Sequence, residues 1–278
     1  MVAVIIGFLV LAVFLLVYGY ITVELRSRLR LTEDPTWLLV DQPATGDQTV
    51  PLILFQTYHC KDAVPRKVAE NLERYASEYE RRLYDDRDAT AFLETFFAPP
   101  VAATFRALKL GQHKADLLRY CLLYIYGGVY LDIKPELARP LAGLFQAGTV
   151  TSILSRKNTE IYQGVIAAPP RQRIFLTLID GMVRSGRRPI YHLFIREFMR
   201  YIEWDTGLSP AAIEFRVHFG SVLRGKLQSY SLYREYCTHT ASDCYDGLDQ
   251  HGYCCHIQDP VSNEVVIKTR YADYPWRT

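Results

Sequence analysis

The chain has almost no charge imbalance: across 278 residues, 32 Lys and Arg face 30 Asp and Glu, a formal net charge of +2. No basic stripe with interleaved aromatics runs through it, which argues against nucleic acid as a partner. No Asn-x-Ser/Thr sequon exists, because Asn71, Asn158 and Asn263 all lack the hydroxyl residue two places on. Internal repeats and low-complexity stretches are also missing, which excludes solenoids and biased tails. The 6 cysteines contain no Cys-x-x-Cys knuckle. Structural zinc therefore ranks below disulfides and free thiols for Cys237, Cys244, Cys254 and Cys255, although His239, His251 and His256 lie close in sequence.

What is present begins with an apolar run from Val2 to Val23, interrupted only by Tyr18, Tyr20, Thr22 and glycines. As a helix it would span roughly 33 Å, enough for a bilayer core. It is too long for a signal-peptide core and has no cleavage pattern after it, so it reads as one uncleaved N-terminal transmembrane helix. The expected organisation is an anchor over residues 1–25, a stem over 26–49 and a globular domain over 50–278. About 230 residues follow the first fifty, enough for one sizeable α/β core. Arg26, Arg28 and Arg30 follow the apolar run, and the positive-inside rule would place the large domain in the cytoplasm.

The segment Lys114 to Lys134 places polar groups where a core segment should have none. Ala115 to Tyr126 reads as a buried helix, and Gly127-Gly128 stops it where a left-handed cap is easiest. Asp116 and Arg119, three apart, share one face of that helix, and a charged pair on an apolar helix needs a partner or a ligand. Taken alone, an internal ion pair explains it equally well. Val129-Tyr130-Leu131 then switches to strand formers, and Asp132 stands at the strand's C-terminal end, where open α/β sheets present ligand groups.

These residues resemble glycosyltransferase family 32, sugar transferases with an Asp-x-Asp motif. The resemblance continues upstream in Val50-Pro-Leu-Ile-Leu-Phe-Gln-Thr-Tyr58, then Val64-Pro65 and Tyr79 to Asp86, and downstream in Tyr162 to Pro169. It departs at Phe55 and Tyr58, where the family has His and Trp, and at Lys134, which stands where the family has the second Asp. The resemblance implies a GT-A type α/β fold with a mostly parallel sheet, and retaining transfer of a hexose from a nucleotide-diphosphate sugar. Mannose is favoured over galactose or glucose. The implied acceptor is a hydroxyl of a glycan or glycolipid, inositol phosphoceramide among them, in a Golgi or related secretory membrane with the domain on the lumenal side. The alternative is a catalytically inactive sugar-nucleotide-binding partner subunit, which Lys134 favours.

By the same resemblance Asp132 and Lys134 are the catalytic candidates, and Asp116, Arg119, Tyr130, Gly127 and Gly128 hold the donor sugar. Gln56 and Thr57 lie near the nucleotide. In the family a divalent cation, Mn²⁺ or Mg²⁺, is held against the diphosphate by oxygen ligands. An ammonium cannot ligate one, so either Lys134 neutralises the diphosphate itself, or Asp132 shares a metal with Glu136, or chemistry is lost. His256 is a further candidate over the donor site, weighed against a strand residue with a satisfied ring. Helical periodicity over 173–185, 192–204 and 210–223 suggests acceptor-side helices. The stretch from Gly252 to Tyr271 reads as a hairpin that would cover one mouth of the site.

Overall fold

A computed structural model describes residues 31, 33–41, 48–185, 191–238 and 254–270. The expected anchor, residues 1–25, lies outside the described residues, as do half of the stem, His239, Cys244 and His251. Among the described residues no helix is long and apolar enough to cross a membrane. The chain divides into two compact units, Met1–Pro35 and Thr36–Thr278. The second holds every strand and the packed core described below, so it is a self-contained domain.

In chain order its elements are β1 (Ile53–Thr57), α1 (Arg66–Tyr75), β2 (Glu80–Tyr84), α2 (Asp86–Phe96), α3 (Pro99–Ala107), α4 (Gly111–Tyr126), β3 (Gly128–Leu131), β4 (Glu136–Leu137) and β5 (Thr149–Leu154). There follow β6 (Ile161–Ala168), α5 (Arg173–Ser185), α6 (Tyr191–Thr206), α7 (Pro210–His218), β7 (Leu223–Arg224), β8 (Ser229–Thr238), β9 (Cys254–Gln258) and β10 (Val265–Lys268). The strands join one sheet in the order β2-β1-β3-β6-β5-β8-β9-β10-β4, with β7 on β8.

The sheet is mixed, which corrects the expectation of a mostly parallel one. Only β1–β2, β1–β3 and β5–β8 pair in parallel; the other neighbours run antiparallel. The reason lies in the connections. A parallel return needs a long crossover, usually a helix, and no α-helix separates β3 from β6. A tight turn from Ser155 to Glu160, closed by the Ser155 N–H on the Glu160 carbonyl at 2.9 Å, folds β6 straight back on β5.

The parallel part, β2-β1-β3, does follow strand–helix–strand logic. Alternation along β1 and β3 sends Leu54, Val129 and Leu131 to one face, where they pack with Val68 and Leu72 of α1. Phe55 turns to the other face and stacks on Tyr126 of α4, ring centroids 6.0 Å apart. Behind α4 an aromatic cluster of Tyr120, Phe175 and Phe198 binds α5 and α6 to it. The expected helix over 173–185 is α5, and the expected tail hairpin is β9–β10, which turns through Asp259–Asn263. The helix expected over 210–223 stops at His218, and its last residue, Leu223, belongs to β7.

Candidate active site

Three adjacent parallel strands end side by side, and a pocket of about 500 Å³ opens at their C-terminal ends. That volume is in the range of small-molecule and cofactor sites. Thr57, Tyr58 and His59 enter it from the end of β1, Tyr84, Asp85 and Asp86 from the end of β2, and Asp132, Ile133 and Lys134 from the end of β3. The N-terminal turns of α4 close another side with Gly111, Lys114 and Ala115. Asp85 is fixed as the N-cap of α2, accepting the N–H groups of Arg87 and Asp88 in a capping box with Asp88.

Asp116 and Arg119 sit one turn apart on α4, buried, with a 3.0 Å ion pair. Arg119 reaches further. Its Nη2 lies 3.4 Å from Asp132 Oδ1, its guanidinium covers the Tyr130 ring at 4.7 Å, and its Nη1 donates to the Gln163 carbonyl at 2.9 Å. The Tyr130 hydroxyl donates to Asp132 Oδ1 at 2.9 Å and lies 2.9 Å from Thr57 Oγ1. Gln56 Nε2 donates weakly to the Asp132 carbonyl at 3.4 Å. The Asp132 N–H donates to the Gly164 carbonyl at 2.8 Å, extending the β3–β6 pairing one residue beyond the strand. Six of the expected site residues, Gln56, Thr57, Asp116, Arg119, Tyr130 and Asp132, thus form one bonded cluster; Thr57, Arg119 and Asp132 line the pocket, as Lys134 does, while Gln56, Asp116 and Tyr130 lie behind them.

Burial sets the electrostatics. It opposes the Arg119 charge, but Tyr130, Asp116 and Asp132 outweigh that penalty and hold the guanidinium firmly protonated. Burial also raises the Asp116 carboxyl above its usual value, against the pull of Arg119. The Tyr130 hydroxyl is pushed up by burial and by the neighbouring Asp132, so it stays a proton donor.

Gln163 is a site-forming residue that sequence reasoning missed. The β5–β6 register jumps from Thr151↔Ala167 to Ile153↔Tyr162, so β6 bulges across this stretch. The bulge brings Gln163 to α4, where its Oε1 accepts from Tyr120 at 2.6 Å. A glutamine in an otherwise apolar strand was the only signal. Lys114, which pairs with Asp86 across the pocket mouth, was missed as well.

Other expected residues lie elsewhere. Gly127 caps the C-terminus of α4 and Gly128 begins β3, at the end opposite Asp132, and neither lines the pocket. Both have positive φ, +66° and +93°, and neither has room for a Cβ: at Gly127 it would meet Pro170 N at 2.6 Å, and at Gly128 the Ile53 carbonyl at 2.6 Å. Their role there is to turn the chain and pack it closely. Glu136 on β4 pairs with Lys268 of β10 at 3.4 Å. His256 on β9 stacks against Tyr236 and meets Gln258 Nε2 at 2.9 Å. Neither Glu136 nor His256, nor any residue of α5, α6 or the β9–β10 hairpin, lines this pocket. α5 and α6 pack behind α4, and the hairpin extends the far side of the sheet.

The second oxygen ligand of an Asp-x-Asp pair for Mn²⁺ or Mg²⁺ is missing here, because Lys134 stands in its place and an ammonium cannot ligate a cation. Asp132 Oδ1 already receives Tyr130 and Arg119, and Lys134 lines the same pocket. Among the described residues the one group of three potential ligands is Glu235, Cys237 and Cys255, and its two sulfurs are joined in a disulfide between β8 and β9. Cys121 is buried inside α4 as a small apolar residue, and burial keeps its thiol protonated.

A buried Asp/Arg pair beside a strand-end Asp, at the mouth of parallel strands, offers hydrogen-bond donors and acceptors to a polar ligand. Comparison with known proteins sharpens this. Residues 55–158 match the family described as "Glycosyltransferase sugar-binding region containing DXD motif". An uncharacterized glycosyltransferase, L373, of Acanthamoeba polyphaga mimivirus is 28% identical over 132 residues, 47% of this chain and 53% of that protein. Mannosyl phosphorylinositol ceramide synthase CSH1 of Saccharomyces cerevisiae is 27% identical over 139 residues, 49% of this chain and 36% of the synthase. The chain thus matches about half the length of the first relative and about a third of the second. The solved PaToxG glycosyltransferase overlaps with a TM-score of 0.45 at 12% identity, covering 73% of this chain and 85% of that one.

Proposed function

We propose that this protein transfers a hexose from a nucleotide-diphosphate sugar to a hydroxyl of a glycan or glycolipid, with retention at the anomeric carbon. The observation that carries this reading is the Asp116–Arg119–Asp132–Tyr130 cluster, whose Arg119 and Asp132 line a pocket of matching size, within the region shared with glycosyltransferases. Mannose is the favoured sugar and inositol phosphoceramide a candidate acceptor, because the CSH1 relative is named for both. Galactose and glucose are the alternatives.

In this reading Asp116 and Arg119 grip donor-sugar hydroxyls, with Arg119 locked in orientation by Gln163 and Tyr130. Gln56 and Thr57 border the nucleotide. The bond from the anomeric carbon to the diphosphate oxygen breaks as the bond to the acceptor oxygen forms, and the departing phosphate takes the acceptor proton. The leaving group gains negative charge, so a cation fixed beforehand stabilises the transition state. Lys134 supplies that charge here, and no step is routed through a metal.

The Cys237–Cys255 disulfide favours an oxidising compartment, which fits the lumen of the Golgi or a related secretory membrane. An anchor over residues 1–25 would hold the domain there. The test is nucleotide release by the Thr36–Thr278 domain across UDP- and GDP-sugars, with Mn²⁺ or chelator, and Asp132→Asn as control. Release that requires Asp132 and survives chelation supports the assignment and names the donor. Donor binding without release, with acceptors supplied, would leave a sugar-nucleotide-binding subunit instead.

A further inference from the structure

The donor pocket leaves one surface feature of the domain unused. On α7, Ile213 and Val217 turn inward and are buried, while Phe215 and Phe219, also four apart, turn outward, 66% and 61% exposed. Their rings touch edge to face at 5.0 Å, so they form one apolar projection. The turn between β9 and β10 adds to it. Val261 at its tip is 73% exposed, and Gly220, next to Phe219, lies so close that a Cβ there would come within 2.4 Å of Val261 Cγ2. Two chain segments far apart in sequence thus place three large apolar side chains on one small surface. A single exposed apolar residue needs no explanation; a contiguous group of three does.

The charges around it are predominantly basic, although Asp259 and the exposed Glu264 lie in the turn beside Val261, Glu264 paired with Arg139 at 2.6 Å. From Gly207 to Gln228 the exposed residues include Arg216, Arg224 and Lys226. The one carboxylate in that stretch, Glu214, is paired with Arg234 at 2.9 Å. The Asp259 carboxylate in the neighbouring turn is engaged by the N–H groups of Val261 and Ser262, at 2.8 and 2.9 Å.

We propose that the face built by Phe215, Phe219 and Val261, with its basic flank, docks the domain on an anionic lipid bilayer. Exposed aromatic rings suit the headgroup boundary, and Lys and Arg beside them are drawn to the negative surface. A second copy of this chain fits less well, since a self-complementary contact would bring the two basic flanks together. The apolar run Val2–Val23 in the same chain, long enough to span a bilayer, supplies a membrane for such a face to meet. The inference does not rest on the transferase reading, and none of these residues lines the donor pocket.

The test is sedimentation of the Thr36–Thr278 domain with vesicles of phosphatidylcholine, alone or containing phosphatidylserine. The expected result is binding at least about tenfold tighter with phosphatidylserine, weakening as salt is raised. Phe215→Ser/Phe219→Ser should lower it by about tenfold or more, and Arg216→Glu/Arg224→Glu should abolish the lipid preference. These side chains are exposed, so thermal unfolding and sugar-nucleotide binding should match the parent in both variants. No vesicle binding by the parent, or equal binding by parent and variants, overturns the proposal. A concentration-dependent dimer that disappears in the Phe variant, with no vesicle binding, would assign the face to a second copy instead.

Discussion

The Tyr130 hydroxyl donates to Oδ1 of Asp132, two residues further along the same strand direction, at 2.9 Å. The alternation of a strand puts residues i and i+2 on one side, so the contact follows from their spacing. It orients a carboxylate that has left the sheet and faces the pocket. Asp132→Asn should abolish transfer while leaving thermal stability near that of the parent. Tyr130→Phe keeps the ring under Arg119 but leaves Thr57 and Asp132 without their shared hydroxyl. Losing such a bond costs about 1–2 kcal/mol, so kcat/KM should fall about tenfold. Turnover unchanged in a correctly folded Asp132→Asn would remove Asp132 from the mechanism.

Gly127 tests the boundary between binding and packing. Its φ of +66° and the 2.6 Å approach of a Cβ to Pro170 N make any side chain costly. Gly127→Ala should destabilise the domain by about 2–4 kcal/mol, read from chemical denaturation. The fraction still folded should keep the parent's donor KM. A raised KM with little loss of stability would return Gly127 to the donor site.

Much of this arrangement was legible because it depends on local spacing. The Gly127-Gly128 stop, the shared face of Asp116 and Arg119, and the strand-end position of Asp132 are consequences of helix and strand periods. Strand direction was not legible in the same way, since the return of β6 against β3 depends on the short Ser155–Glu160 turn and on pairing between distant segments. The contact of Gln163 with Arg119 depends on a register irregularity in β6, which leaves no pattern in sequence. Glu136 and His256 had the right chemistry for metal ligands, but β9 joins the sheet through β8 and β4 through β10, away from the mouth of β1, β2 and β3.

His256 gives a pH dependence with a definite sign. Burial disfavours its charged form and lowers its pKa from the ordinary value. The native state therefore binds the proton less well than the unfolded chain. The stability involved is present above the unfolded value of about 6.5 and is lost as pH falls through the lower folded value. Thermal midpoints should drop from pH 7 toward about pH 5, and His256→Gln should show a shallower drop. Parallel curves for parent and variant would show that this histidine does not carry the dependence.

In the proposed transferase reading, Lys134 neutralises the diphosphate. An ammonium is a compact point charge on a flexible stem, able to meet phosphate oxygens but not to ligate a cation. With Lys134 in place, transfer should proceed in chelator. Lys134→Ala removes the charge without replacing it and should lower kcat more than it raises donor KM, since charge on the leaving group develops in the transition state. Lys134→Asp offers a second carboxylate close to Asp132. Its activity in chelator should be at least about a hundredfold below the parent and should recover in part with Mn²⁺. Metal titrations of Lys134→Asp that superimpose on those of the parent would defeat the assignment, because a residue that neutralises the diphosphate cannot be exchanged for an anion without consequence.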